Sequence, residues 1–251
     1  MKNEKLMSLA ATFGWFGAYL FISIIAVHLP EGIDCAVTVL ALWGLIFVCA
    51  RSFEDKKTIL EMLAHGGIQK VKISLLLFAF LAGAGLNLAY SGLLPLLPIP
   101  EEIVGSYVDA SAKYEDPSNA LMFKTVFLVP VLEETVFRGL IGDRIGRFAP
   151  KWIAIPAASL IFAVMHGDLL WCAYAFISGI ALTWMYFRCK SILPCISFHL
   201  AFNAANYLWA KILPLPDEVW AYAISLAFGS LLAISSTIVI IADNRIKNNK
   251  K

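Results

Sequence analysis

Apolar residues along this chain fall into blocks of about 16 to 24, the length that a helix needs to cross the roughly 30 Å hydrocarbon core of a bilayer. Short polar stretches separate the blocks and predict eight membrane-spanning helices, at residues 6–29, 33–50, 73–94, 120–142, 152–167, 169–188, 191–209 and 219–242. The longest connection, residues 95–119, contains three prolines followed by acidic residues, so we expect a non-helical or briefly amphipathic loop there. The predicted fold class is therefore all-α, a polytopic membrane protein with one transmembrane domain over residues 1–251.

The basic residues give an independent test of these spans, because cytoplasmic loops of membrane proteins are enriched in Lys and Arg. With the N-terminus in the cytoplasm, the segments on that side hold sixteen of the 20 basic residues: Lys2, Lys5, Arg51, Lys56, Lys57, Lys70, Lys72, Arg144, Arg147, Lys151, Arg188, Lys190, Arg245, Lys247, Lys250 and Lys251. The opposite side holds Lys113 and Lys211, and the fourth span contains Lys124 and Arg138. We therefore predict that the N- and C-termini are both cytoplasmic.

The overall composition agrees with a membrane protein and excludes other classes. Hydrophobic residues make up 60% of the chain and charged residues 15%, which excludes a water-soluble globule of ordinary composition. The formal net charge is +2, so the chain has no basic field that would favour nucleic acid as a partner. The five cysteines have no CxxC spacing and are interpreted as small buried hydrophobic residues rather than as a disulfide framework.

Three charged residues lie close together inside the fourth predicted span, at Glu133, Glu134 and Arg138. A charge at membrane depth costs at least about 2.5 to 3.5 kcal/mol, so such residues are rare and face the interior of a helix bundle. Glu134 and Arg138 are four residues apart on one helix face, so we expect an ion pair between them. Glu133 points about 100° away, without a partner on its own helix, and is free to act as a general base in a cavity. A purely structural cluster of charges is the alternative interpretation.

Two other predicted spans carry polar residues to a similar depth. The fifth span ends at His166, and the seventh contains His199 and Asn203, which are one helical turn apart. We expect these groups to converge with Glu133 in the cytoplasmic half or the middle of the bilayer, and we expect cleavage near the cytoplasmic side.

Three further positions can shape the same region. Pro130 lies three residues before Glu133, and a proline there can kink the helix and open backbone groups to the cavity. Asn206 either lines the cavity or forms a hydrogen bond between helices, and Asn87 in the third span is predicted to form a bond of that second kind.

Glu, His, His and Asn side chains together can hydrolyse a peptide bond without a covalent intermediate. The carboxylate can take a proton from water, an imidazole can orient that water, and an imidazole with a carboxamide can donate hydrogen bonds to the developing oxyanion. This scheme needs no metal. The alternative is a two-His, one-carboxylate metal site at Glu133, His166 and His199 with an open position for water. The HExxH spacing of zinc proteases is absent, so spacing does not select zinc.

These residues resemble the three motifs of the CAAX protease and bacteriocin-processing intramembrane proteases, a family also called CPBP or Abi. The matching motifs are Glu133-Glu134-x-x-x-Arg138, Phe162-x-x-x-His166 and His199-x-x-x-Asn203. Their order, their placement on three separate spans and the eight-helix count also agree with that family. The resemblance covers residues 121–209, approximately, and predicts that this segment is the catalytic core.

The resemblance implies an endopeptidase in which Glu133 activates the attacking water with His166, while His199 and Asn203 stabilise the oxyanion. The family is often labelled as metalloproteases, yet its eukaryotic CAAX-processing members resemble metal-independent glutamate proteases. No cofactor is therefore expected, and a divalent metal such as zinc stays open as the alternative.

The resemblance also implies that Glu134 and Arg138 support the first motif. The implied substrate is a membrane-associated peptide or protein, of the pheromone, bacteriocin or lipidated-peptide type, and the second partner is the lipid bilayer. The implied location is a cell membrane, namely the bacterial cytoplasmic membrane. The alternative function is a non-catalytic membrane partner on the same scaffold, either a bacteriocin self-immunity protein or a regulator of a sensor kinase.

Overall fold

The computed structural model describes residues 2–26, 28–30, 33–53, 61, 63–64, 67–112, 118–214 and 216–243, and these residues form an all-helical fold, as predicted. The helices are α1 (Lys2–Ala26), α2 (Ile33–Phe53), α3 (Ile73–Leu93), α4 (Glu101–Ser111), α5 (119–148), α6 (Lys151–Val164), α7 (Leu169–Cys189), α8 (Leu193–Tyr207) and α9 (Val219–Ala242). A 3₁₀ turn at Leu94–Leu96 continues α3, and a π-helical turn at Leu208–Ile212 continues α8.

Helix α5 is continuous and widens into a π-helix twice. Its parts are Asn119–Phe123, Lys124–Leu128, Val129–Glu133, Glu134–Gly142 and Asp143–Phe148, of which the second and the fourth are π-helical. Such wide turns inside α-helices are rare and often occur at functional sites. The helix continues past the predicted end at residue 142, where an Asp143–Arg147 ion pair of 2.7 Å joins residues four apart on its last turn.

Among the described residues, three helical segments are long and apolar enough to cross a membrane, at Ile73–Leu96, Leu169–Cys189 and Val219–Ala242. Shorter apolar segments occur at Ala10–Ala26, Ile33–Cys49 and Lys151–Val164. Each of the eight predicted spans overlaps one of the helices α1–α3 and α5–α9. That all eight cross the bilayer, and that the termini are cytoplasmic, stays a prediction.

Helix α3 packs between α8 and α9, and glycines allow the backbones to approach closely. A Cβ atom on Gly83 would meet the backbone carbonyl of Phe198 in α8. A Cβ atom on Gly229 of α9 would meet the backbone nitrogen of Ala89 in α3. Around this centre, α6 pairs with α7, while α1 and α2 pack against α5.

Antiparallel packing gives the two ends of the bundle different charges. One end, which we call the basic end, carries the described residues Lys70, Lys72, Arg144, Arg147, Lys151, Arg188 and Lys190. The other end, which we call the α4 end, carries α4 and the described residues Asp34, Glu101, Glu102, Asp109, Asp168, Asp217 and Glu218. Hydrogen bonds hold each end together, for example Lys72 to Asp243 (2.7 Å) at the basic end and Ser106 to Asp168 (2.9 Å) at the α4 end.

Two connections at the α4 end differ in detail from the sequence prediction. The described part of the 95–119 connection contains α4, so the briefly amphipathic form of that prediction is the correct one; residues 113–117 lie outside the described residues. Helix α6 ends at Val164 rather than at residue 167, and His166 therefore lies in the turn that follows. The turn forms because Gly167 has a φ of +80°, and Asp168 then caps α7 by accepting a hydrogen bond from the Trp171 backbone N–H.

Candidate active site

Glu134 and Arg138 form the predicted ion pair in the second π-helical part of α5. Arg138 Nη1 donates to Glu134 Oε1 over 2.8 Å, and both side chains are completely buried. The guanidinium carbon of Arg138 also lies 4.1 Å from the centroid of the Phe162 ring in α6, which is a cation–π contact. Because neither charge reaches solvent, their mutual contact offsets part of the cost of burying them.

His199 of α8 joins this buried pair. Its Nδ1 lies 2.8 Å from the same Glu134 Oε1, so the Nδ1–H group donates to the carboxylate and Nε2 stays available on the other side of the ring. The ring of Phe162 packs edge-on against the imidazole with a centroid separation of 6.0 Å. The Glu134 carboxylate thus fixes the orientation of the His199 ring, because it accepts the hydrogen bond from Nδ1–H.

Glu133 points away from the buried pair and lines a cavity. Its side chain is 20% exposed, whereas that of Glu134 has no exposed surface. Glu133 Oε2 lies 3.7 Å from His199 Nε2 and has no hydrogen-bond partner among the residues that the structure describes. Leaving a buried acceptor unpaired costs about 1–3 kcal/mol, and more for a charged group, so this oxygen is well suited to accept a hydrogen bond from water or from a substrate.

His166 lines the same cavity from the turn after α6. Its Nδ1 lies 3.1 Å from the backbone carbonyl oxygen of Phe162, so Nδ1–H can donate there and leave Nε2 as an acceptor. The imidazole also contacts the Phe162 ring at a centroid separation of 4.9 Å and the Trp171 ring at 6.1 Å. These contacts hold His166 although it is not part of a helix.

Asn203 is held by a backbone group that Pro130 leaves free. In the first π-helical part of α5 the Val129 N–H bonds to the Lys124 carbonyl, five residues back. The Thr125 carbonyl would bond in the same way to residue 130, but proline has no N–H. Asn203 Nδ2 supplies the missing donor over 2.8 Å. Pro130 therefore opens a backbone carbonyl, as predicted, and a side chain of α8 binds it.

Glu133, His166, His199 and Asn203 line one cavity of ≈ 490 Å³. Glu134 and Arg138 are not part of its wall. Aromatic residues form much of the rest of the wall: Tyr107, Phe162, Trp171, Tyr174, Phe198, Phe202 and Tyr207. A cavity of this size, mostly apolar and with a few polar groups that converge, is typical of a binding site for a small molecule or a peptide segment.

The cavity extends from the middle of the bundle to the α4 end. Tyr107 and Ser111 of α4 contribute to its wall, whereas none of the residues that define the basic end does. The side of the membrane on which the site opens stays a prediction, but the cavity lies away from the basic end, which the sequence predicts to be cytoplasmic. The reason is the short α6, which starts at Lys151 at the basic end and places His166 beyond its far end.

The three residues predicted as alternative metal ligands do not fit one metal ion in this arrangement. Within the described part of the chain, no group of three or more His, Cys, Asp or Glu side chains is placed to hold an ion. Glu133 and His199 approach each other, while Nδ1 of His166 contacts a backbone carbonyl instead. The chemistry proposed below therefore uses the protein side chains alone.

The structure adds contacts that sequence reasoning missed. The sequence did not indicate that Glu134 binds His199, because the two residues are far apart in the chain. The sequence also did not indicate that Tyr107, Trp171 and Tyr174 form part of the cavity wall. Trp171 and Tyr174 are three residues apart and share one face of α7, which was the available signal. Burial raises the pKa of the Tyr107 hydroxyl, so it stays protonated at neutral pH and can donate a hydrogen bond.

Comparison with known proteins finds one family that the segment around this site resembles. A family model described as type II CAAX prenyl endopeptidase, Rce1-like, matches residues 117–205, which include all three motifs. The matched segment is 89 of the 251 residues, and it is similar to this Rce1-like CAAX protease family. No curated protein and no solved structure matches the chain. The similarity to the Rce1-like family implies protease activity, and together with the three long apolar helices among the described residues it indicates a multi-pass membrane protein.

Proposed function

We propose that this Rce1-like protein is an intramembrane endopeptidase that hydrolyses a peptide bond of a membrane-associated peptide or protein. The observation that carries the proposal is the unpaired Oε2 of Glu133, which lies 3.7 Å from His199 Nε2 in a cavity that also holds His166 and Asn203. These side chains supply a general base and hydrogen-bond donors in one enclosed space.

In the proposed reaction, Glu133 takes a proton from a water molecule that His166 helps to orient. The water oxygen forms a bond to the carbonyl carbon of the substrate, and the carbonyl oxygen becomes an oxyanion. His199, when its Nε2 carries a proton, and the Asn203 amide donate hydrogen bonds to that oxyanion. The C–N bond then breaks as the proton held by Glu133 moves to the leaving nitrogen. Glu134, paired with Arg138, acts as a positioning residue for His199.

We further propose the orientation of the protein in the membrane. The basic end faces the cytoplasm, because cytoplasmic segments are enriched in Lys and Arg. All eight predicted spans cross the bilayer, and both termini are cytoplasmic. The cavity at the α4 end then opens toward the opposite face, so a peptide pheromone, a bacteriocin or a lipidated peptide would enter from the outer side of a bacterial cytoplasmic membrane.

The variant Glu133→Gln tests the proposed reaction, because the amide keeps the shape of the side chain but cannot accept a proton. We expect peptide processing, measured by mass spectrometry of small secreted peptides, to fall by about 10²–10⁴-fold. Membrane insertion and thermal stability should not change. The exposed acid Glu218 provides the matched control, and Glu218→Gln should process peptides normally. Full processing by Glu133→Gln would overturn the proposal.

The non-catalytic alternative makes a different prediction for the same variants. A self-immunity protein or a sensor-kinase regulator on this scaffold would keep its phenotype when Glu133, His166 and His199 are each replaced. Metal dependence has a separate test with purified protein. Inhibition by a chelator that one specific divalent ion reverses would show that a metal takes part.

A further inference from the structure

A second cavity of ≈ 200 Å³ lies beside the candidate active site. Its wall is formed by α3, by the segment that connects α3 to α4, by Tyr107 of α4, and by the faces of α7 and α8 that face α3. The two cavities have four residues in common, which are Tyr107, Tyr174, Phe202 and Asn206. The function proposed above gives this second cavity no role.

The boundary between the two cavities consists of aromatic side chains. The Tyr174 ring lies 6.4 Å from the Tyr107 ring, 6.1 Å from the Phe202 ring and 5.9 Å from the Tyr90 ring, measured between centroids. All of these rings except that of Tyr90 line both cavities, as does Asn206, so a substrate that occupies the active-site cavity would lie directly next to the second one.

Two residues that line the second cavity each have a polar atom without a hydrogen-bond partner in the described part of the chain. Asn87 is 2% exposed, and its Nδ2 donates to Asn206 Oδ1 over 2.6 Å, which is the predicted hydrogen bond between helices. Asn87 Oδ1 and the Tyr90 hydroxyl have no hydrogen-bond partner among the described residues. Both residues line the cavity. Leaving a buried polar group unpaired is unfavourable, so a ligand that pairs with these two atoms would gain affinity.

An unused acceptor and an unused hydroxyl three residues apart on α3 match the N–H and C=O groups of one residue in an extended peptide, because those two groups point to the same side of the chain. A peptide N–H can donate to Asn87 Oδ1, and a peptide carbonyl can accept from the Tyr90 hydroxyl. The rest of the wall is mainly apolar, and a cavity of about 150 Å³ is already large enough to hold a benzene molecule. The acyl chain of a lipid has no N–H group and would leave Asn87 Oδ1 unpaired.

We propose that the second cavity is a specificity subsite, which binds a bulky apolar residue of the peptide substrate near the scissile bond. Asn87 and Tyr90 bind the backbone of that residue, and its side chain fills the apolar space. This inference rests on the proposed peptidase function. It adds that the enzyme selects peptides by a Leu-sized or Phe-sized side chain at one position.

The test uses purified protein in lipid nanodiscs and a set of fluorogenic peptides with Ala, Leu or Phe at each position that flanks the scissile bond. We expect kcat/KM at one position to be about 10-fold or more higher for Leu or Phe than for Ala, the usual range for added methylene groups in an apolar pocket. Ser91→Leu, which narrows the second cavity, should remove this preference by slowing the Leu and Phe peptides alone. Ser235→Leu replaces an exposed serine of α9 and is the matched control, which should keep the preference.

A binding measurement separates the subsite from the peptidase activity. A peptide carrying a benzophenone side chain is photo-crosslinked to Glu133→Gln protein, and we expect mass spectrometry to find the crosslinks at Leu94 or Ile177, with loss of those crosslinks in Ser91→Leu. Cleavage without a residue preference and without these crosslinks would overturn the subsite and leave the peptidase proposal intact. Crosslinks at these residues without cleavage of any peptide would support the subsite and overturn the peptidase. Absence of both would overturn both proposals.

Discussion

The basic end and the α4 end of the bundle differ in whether their polar side chains have partners. At the basic end, charged groups are paired close to the surface: Lys72 binds Asp243, and Arg147 binds Asp143. Between the middle of the bundle and the α4 end, by contrast, Glu133 and other buried residues keep polar atoms without partners. No such buried, unpartnered side-chain atom occurs among the described residues that define the basic end.

This difference separates polar groups that the protein pairs internally from polar groups that it leaves open. Hydrogen bonds that the protein completes by itself contribute to stability, whereas hydrogen bonds that it leaves open are available to a ligand. Proteins usually satisfy nearly all buried polar groups. Among the described residues, three of the seven unsatisfied buried side-chain atoms belong to residues that line the two adjoining cavities, Glu133, Asn87 and Tyr90, and these three are the ones that a ligand could pair with. The other four belong to Glu134, Arg138 and Trp209, which line neither cavity.

The largest expected effect concerns the sidedness of the two ends. In a background without the native cysteines, Val108→Cys in α4 and Lys70→Cys at the basic end are each treated with a membrane-impermeant maleimide on intact cells. We expect Val108→Cys to be labelled fully, and Lys70→Cys to be labelled only after permeabilisation. Both side chains are exposed, so accessibility to the reagent depends on the side of the membrane. The reverse pattern would invert the proposed orientation.

The next largest expected effect is a difference in stability between variants of two arginines in α5. Each arginine is paired with an acidic residue four positions earlier. Arg138→Ala leaves the buried charge of Glu134 without its counterion, and we expect the free energy of unfolding to fall by about 3–5 kcal/mol. Arg147→Ala removes a pair at the basic end in which the arginine side chain is 55% exposed, and we expect a loss of about 1 kcal/mol or less. Denaturation of both variants in detergent measures the difference. Equal losses would show that burial does not decide the strength of these pairs.

A smaller effect tests the contact between Asn203 and the Thr125 carbonyl. Asn203→Ala leaves that carbonyl without a donor, and we expect a destabilisation of about 1–3 kcal/mol. Pro130→Ala restores a backbone N–H that can bond to the same carbonyl. The double variant should therefore lose less stability than the two single variants predict by addition. Strict additivity would show that Pro130 does not open this site.

The smallest effect concerns the attachment of α4. Ser106→Ala removes the exposed hydrogen bond from Ser106 Oγ to Asp168 Oδ2, so we expect faster hydrogen exchange of α4 without a measurable change in Tm. Ser111→Ala is the control, because Ser111 Oγ donates to a carbonyl within α4 itself. Equal exchange rates in the two variants would mean that the bond to Asp168 does not hold α4 in place.

Much of the fold was predictable because hydrophobic periodicity and charge act locally. The i, i+4 spacing of Glu134 and Arg138 predicted their ion pair, and the adjacent position of Glu133 predicted that it would face elsewhere. The motif spacing also identified His166, His199 and Asn203, which the structure brings to one cavity.

Other features were not predictable because they depend on packing between distant segments. Nothing near His199 in the chain indicates that Glu134 would bind its Nδ1. Likewise, the direction in which the cavity opens depends on how far α6 reaches across the bundle, and the turn at Gly167 ends that helix earlier than hydropathy indicates. Hydropathy shows where apolar residues occur along the chain, but it does not show at which end of the bundle a cavity opens.

The contacts of Phe162 have a consequence for inhibitor design. Its ring touches Arg138, His166 and His199, so one uncharged side chain is in contact with members of all three motifs. A compound that inserts an aromatic group in place of this ring would displace all three neighbours together. Such a compound would not need to chelate a metal or to mimic a tetrahedral intermediate, and a neutral scaffold would cross membranes more readily than a charged one.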